Sequence, residues 1–170
     1  MKNLLLALFT LLNVNVIAQT NSDINDKLIG CWIIEKVELI ETPIFNEERS
    51  VKTIYSPEQL DNTKESFHLA DLYKSICISD NYSIRVKMHG HWNENFNLSF
   101  REYQLIIYDK NMAEDMGAMY FYTFLPDDVL LLKTNEAYYT DDKKVSMKSQ
   151  AFLYFKKDTE QQQNMLIINN

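Results

Sequence analysis

Two histidines flank a glycine at His89-Gly90-His91, and on an extended strand residues two apart point to the same side, where two imidazoles could share one metal ion. If residues 84 to 92 form one strand, that side also carries Arg85 and Lys87, whose charges oppose a bound cation. A metal site needs three or four ligands, and no cysteine or carboxylate at suitable spacing completes the set. The run is therefore read as a solvated basic stripe, and His68 stands alone. Ser99 and Ser149 have no Gly-x-Ser-x-Gly elbow, phosphate-cradling glycine loop or zinc-protease helix around them. Asp127-Asp128 and Asp141-Asp142 read as turn residues rather than acid-base pairs. No catalytic residue, metal or cofactor is assigned on these grounds.

Cys31 and Cys77 are the remaining reactive groups. Cys31 alternates with Trp32, and Cys77 with Ile76 and Ile78, so both cysteines are expected on the outer face of neighbouring strands. They are disulfide candidates there, with two separate packing thiols as the alternative.

The elements that position these residues read as strands. Ile84, Val86, Met88 and Trp92 alternate with Arg85, Lys87, His89 and His91, the pattern of a half-buried strand. A three-residue connection after Ser79 puts Ile76 and Ile78 on the same face as Val86 and Ile84, with Asn81 in the left-handed position. Further strands are expected at Tyr103 to Tyr108, Ala118 to Leu125, Val129 to Thr134 and Val145 to Lys156, each bounded by polar punctuation. Trp32 and Ile34 face one way and Val37 and Leu39 the other, which predicts a bulge near Glu35-Lys36. Pro57 to Leu72 is expected to hold a short helix or loop over one end, with Ser56 as N-cap and Pro57 at the first helical position. Residues 158–170 are expected as a tail or short C-terminal helix, with Asp158 able to cap it.

Met1 to Ala18 has one lysine and an apolar stretch from Leu4 to Leu12, the pattern of a signal peptide cleaved after Ala18. Leu28-Ile29-Gly30-Cys31 formally matches a lipoprotein box, but the polar spacer Asn21 to Lys27 separates it from the apolar leader. The expectation is an exported protein, periplasmic or secreted, with residues 19–26 as a linker, residues 27–157 as one domain and no transmembrane helix in the mature chain. Loss of Lys2 with the leader takes the net charge from −7 to −8, which argues against a nucleic-acid partner held by phosphate contacts.

The leader, the Gly30-x-Trp32 start, the meander of about eight strands and the closing Ala151-Phe152-Leu153-Tyr154-Phe155-Lys156-Lys157 together resemble an exported bacterial lipocalin-like domain, a calycin-type barrel. The resemblance implies an all-β fold: a single antiparallel up-and-down barrel. It also implies that Trp32 plugs the closed end under a basic side chain, here Lys156 or Lys157 where the family has arginine. The function it implies is carriage or sensing of a small apolar molecule in the cup, with Trp32, Val86, Met88, Trp92 and Phe155 as candidate lining. Tyr120, Tyr122, Tyr138 and Tyr139 could add polar handles to such a site. Two alternatives stay open. One is an envelope inhibitor or immunity-type module that meets a partner protein through a surface such as Met112 to Met116 on a filled barrel. The other is an unrecognised enzyme.

Overall fold

The computed structural model describes residues 26–62, 73–88, 90–101 and 103–160. The leader, most of the linker, His68, His89 and the last ten residues of the tail lie outside the described residues. Ten strands follow in order: β1 (Gly30–Pro43), β2 (Val51–Tyr55), β3 (Ser75–Ile78), β4 (Ile84–Met88), β5 (His91–Arg101), β6 (Gln104–Asp109), β7 (Ala118–Leu125), β8 (Val129–Thr134), β9 (Ala137–Thr140) and β10 (Ser146–Lys157). A six-residue helix, α1 (Pro57–Asn62), follows β2. Every pairing is antiparallel. Eight strands close into an up-and-down barrel through β1 and β10, and β2 and β9 are added outside that ring.

The predicted bulge lies where the alternation of apolar residues changes phase. The β1–β10 ladder runs from Trp32↔Lys157 to Pro43↔Met147 and shifts register between Ile34 and Lys36. The extra residue there lets Trp32, Ile34, Val37 and Leu39 all join the core, because a bulge resets which side of the strand faces inward. The β3–β4 hairpin also has the expected register, Ile76↔Val86 and Ile78↔Ile84. Ser79 N–H donates to the Ser83 carbonyl at 3.0 Å, closing a three-residue turn. The left-handed residue of that turn is Tyr82, with φ 58°, and not Asn81. Asn81 instead accepts the Ser83 N–H at 3.0 Å through its side chain, as the third turn residue takes the left-handed position in such loops. The Asp141-to-Val145 turn repeats this design, with Lys144 at φ 61° and the Asp141 carboxylate accepting the Val145 N–H. Asp127 and Asp128 are left-handed turn residues as well.

Residues 84 to 92 are not one strand. Met88 pairs with His91 and Lys87 with Trp92, so the chain reverses between Met88 and His91, with Gly90 at φ 82°. A two-residue reversal of this kind favours glycine because its backbone is left-handed. Three expectations are corrected with it. The basic stripe is divided between two strands, His91 shares a face with Met88, and Trp92 shares the outward face with Lys87 and Arg85 instead of the inward face with Val86.

The core begins at Trp32. Its indole N–H donates to the Leu28 carbonyl at 2.8 Å, its ring lies 5.9 Å from that of Phe124, and Lys157 Nζ sits 5.3 Å from its centroid. Lys157, and not Lys156, therefore covers the plug; Lys156 faces outward and pairs with Glu35. Above Trp32, Ile76, Val86, Leu130, Leu132, Leu153 and Phe155 are all 0% exposed, so none of them borders a space that a water molecule could enter. At the opposite end α1 lays Leu60 against the core. The Ser56 N–H donates to the Gln59 side chain at 2.8 Å, capping the helix start from within.

β1 and β10 are longer than the barrel is tall. Residues 37 to 41 of β1 pair with β2, and residues 146 to 149 of β10 pair with β9. The four strands β2-β1-β10-β9 thus continue past the ring as a small sheet with two open edges.

Cys31 and Cys77 are register partners on β1 and β3 and are joined by a disulfide spanning 46 residues. Serine at both positions should lower unfolding free energy by about 2 to 4 kcal/mol in a denaturant titration, since the cross-link restricts the unfolded chain. Trp32→Ala should cost about 3 to 5 kcal/mol in the same assay. A change near zero would show that Trp32 does not hold the barrel base.

Candidate functional site

Between β4 and β5 the ladder shifts register: Ile84 pairs with Phe96 but Val86 pairs with Asn93. Arg85 alone therefore opposes both Glu94 and Asn95 in a bulge, with β4 and β5 paired on either side of it. Asn93 stabilises the bulge by accepting the Asn95 N–H at 2.8 Å, and the Asn95 carbonyl accepts the Lys110 N–H at 2.8 Å from across β5. β4 begins at Ile84, whereas β5 runs on to Arg101. The lower half of β5 thus lacks β4 as a neighbour, and the wall of the barrel opens into a cleft of about 510 Å³.

Both sides of the sheet contribute to this cleft. Ile84, Phe96 and Leu98 form its apolar floor, and they are residues that also pack on the core. Arg85, Glu94 and Lys110 supply its charges, and Asn81, Asn97 and Tyr108 supply neutral polar groups. The floor is firm because Phe96 stacks edge-on against Tyr73 at 5.9 Å and Tyr73 against Tyr120 at 6.3 Å. Tyr82, at the near end, packs edge-on against Phe100 at 5.4 Å.

Arg85 is the most unusual group in the wall. Its guanidinium lies 5.1 Å from the centroid of Trp92, a cation–π arrangement that fixes the plane of the fork. Its nearest carboxylate oxygen, on Glu94, is 3.7 Å from Nη1, beyond hydrogen-bond reach. Its Nε–H is buried and has no acceptor.

None of the residues expected to line the cup lines this cleft. Trp32 is the base plug, Val86 and Phe155 are core filling at 0% exposure, and Met88 packs half-buried against the core. Trp92 lies outside the barrel and touches Arg85. Tyr120 and Tyr122 are buried, and burial pushes the Tyr120 hydroxyl above its ordinary range. Tyr139 donates to Glu41; burial and this bond both raise its pKa. Tyr138 is exposed and donates to Glu136 at 2.7 Å. The acidic segment near Met112 folds as a short turn over Glu114–Met116, tied to Arg101 by a 2.7 Å ion pair with Glu114, and it leaves Met112 and Met116 exposed. Sequence periodicity gave no sign of the cleft. The Asn93-Glu94-Asn95 run, rich in residues that bond their own backbone, was the available signal for the bulge.

The protruding sheet carries a second organised cluster. Glu38, on its outer face, accepts from Lys36 at 2.8 Å and Lys52 at 2.7 Å and from the Tyr154 hydroxyl at 3.1 Å. Burial alone pushes its pKa up, but the three donors together outweigh burial and hold it at about 2. With an unfolded carboxyl near about 4.3, the depressed folded value contributes stability that is present above about pH 5 and is lost as pH falls through 2. Glu38→Gln should flatten this part of the stability curve by on the order of 2 kcal/mol when unfolding is followed from pH 7 to pH 2. An unchanged acid limb would remove Glu38 as its source.

Compared with known proteins, the chain matches no protein-family model, no curated protein and no solved structure at the level that would show a relationship.

Proposed function

We propose that this is an exported, lipocalin-like binding protein that takes one small molecule through the wall of its barrel. The cleft between β4 and β5 carries this reading. Its volume of about 510 Å³ falls within the roughly 300 to 1,000 Å³ that small-ligand sites occupy, and it joins an apolar floor to a few convergent polar groups. The cup is a poorer host, because its inward side chains already meet one another. The Gly30-x-Trp32 plug with Lys157 across it supports the family resemblance, and the Cys31–Cys77 disulfide suits an oxidising compartment.

A second reading rests on a different observation. Phe45 is 90% exposed at the tip of the protruding sheet, and Val51 and Ile54 are more than half exposed on its open-edged strand β2. Such a surface fits an envelope module that meets a partner protein.

Native mass spectrometry of residues 19–170, purified from the envelope without delipidation, separates the two. A one-to-one small-molecule adduct is expected for the wild type, with none for Asn97→Trp, whose outward-facing indole would fill the cleft. A bare wild-type mass after mild purification would move the assignment to the protein-interaction reading. An adduct that survives Asn97→Trp would move the ligand out of the cleft.

A further inference from the structure

From the chemistry of the cleft wall we infer that the molecule it takes is an organic carboxylate, an anionic head joined to a short apolar body; this rests on the cleft being the binding site. The chain as a whole is acidic, with a net charge of −7, yet the cleft reverses that sign. Arg85 and Lys110 face one carboxylate, Glu94, and Glu94 is itself two-thirds exposed to solvent. A neutral ligand would need no such local excess of positive charge.

Arg85 narrows the class further. Its side chain is held in the wall by Trp92, and Glu94 is too distant to satisfy it. Its buried Nε–H lacks an acceptor, which is an unfavourable state for a charged donor. The buried Nε–H is out of a ligand's reach, so the Nη groups of this partly exposed side chain are the fork on offer, and the two oxygens of a carboxylate match it in parallel. The floor sets the other half of the ligand. Ile84, Phe96 and Leu98 offer hydrocarbon and one aromatic ring, so the body attached to the carboxylate is aliphatic or aromatic and small enough to lie within the cleft.

The test uses a matched pair of probes, 4-phenylbutyrate and 4-phenylbutanol, which share a body and differ in the head. Each is titrated into folded residues 19–170 while the two indole N–H resonances are followed by NMR. Trp92 lies beside the cleft and Trp32 at the barrel base, and Trp92→Phe assigns them. The carboxylate should shift the Trp92 signal saturably and bind at least tenfold more tightly than the alcohol, with Trp32 unmoved. Arg85→Gln should reduce that preference to less than twofold. Arg85→Lys, which keeps the charge and loses the fork, should retain part of it. The unmoved Trp32 signal shows that the variants remain folded.

Equal affinity for the two probes would overturn the carboxylate assignment and leave the cleft as a binding site. So would binding of neither probe alongside a native adduct that Asn97→Trp removes. Binding of neither probe, with no native adduct, would overturn the assignment and the cleft together.

Discussion

A sheet of eight strands has no edges only if its first and last strands find each other, and here that meeting is the long ladder between β1 and β10. Much of the molecule is arranged around it. The bulge beyond Ile34 lets β1 curve enough to join the ring while keeping Val37 and Leu39 inside. Trp32 and Lys157 form the first pair of the ladder, so the plug and its cover are brought together by closure itself. The disulfide ties β1 to β3 on the other flank at the same level. β1 is thus held on one side by the disulfide to β3 and on the other by the closing ladder to β10.

The same ladder explains the protruding sheet. A strand that needs many pairs to close the barrel outruns its shorter neighbours, and backbone groups left without partners must find others or face water. β2 and β9 provide partners for the overhanging lengths of β1 and β10. Glu38 then acts as a polar tie across the overhang, drawing Lys36, Lys52 and Tyr154 from three strands onto one carboxylate.

The barrel was legible in the sequence because most of its strands keep one face apolar, and period-two alternation reports that directly. Ile76, Ile78, Ile84 and Val86 showed both their strands and their mutual register. The change of phase after Ile34 revealed the bulge, while the plug and its basic cover came only from what the family resemblance implies, not from the residue pattern. Other features failed for identifiable reasons. Alternation from Ile84 to Trp92 ran unbroken across a reversal of the chain, with Gly90 as its sole mark, so two strands looked like one and Trp92 was placed on the wrong side. β2 and β9 are short and mostly exposed, and hydrophobic periodicity is weak where little is buried. The wall cleft depends on a bulge in β5 opposite Arg85 and on β5 running on beyond the start of β4. That is a property of pairing, which a single strand's sequence does not display.

Because Trp32 and Lys157 are neighbours, the chain enters and leaves the barrel at one pole. Any tether attached ahead of residue 26 or after residue 160 would hold the molecule by that pole and present the other, where the β1–β2 tip carries Phe45. The Asn81–Ser83 turn that lines the cleft follows Ile78, the partner of Gly30, so the cleft would lie near the tethered end, away from whatever occupied the presented pole.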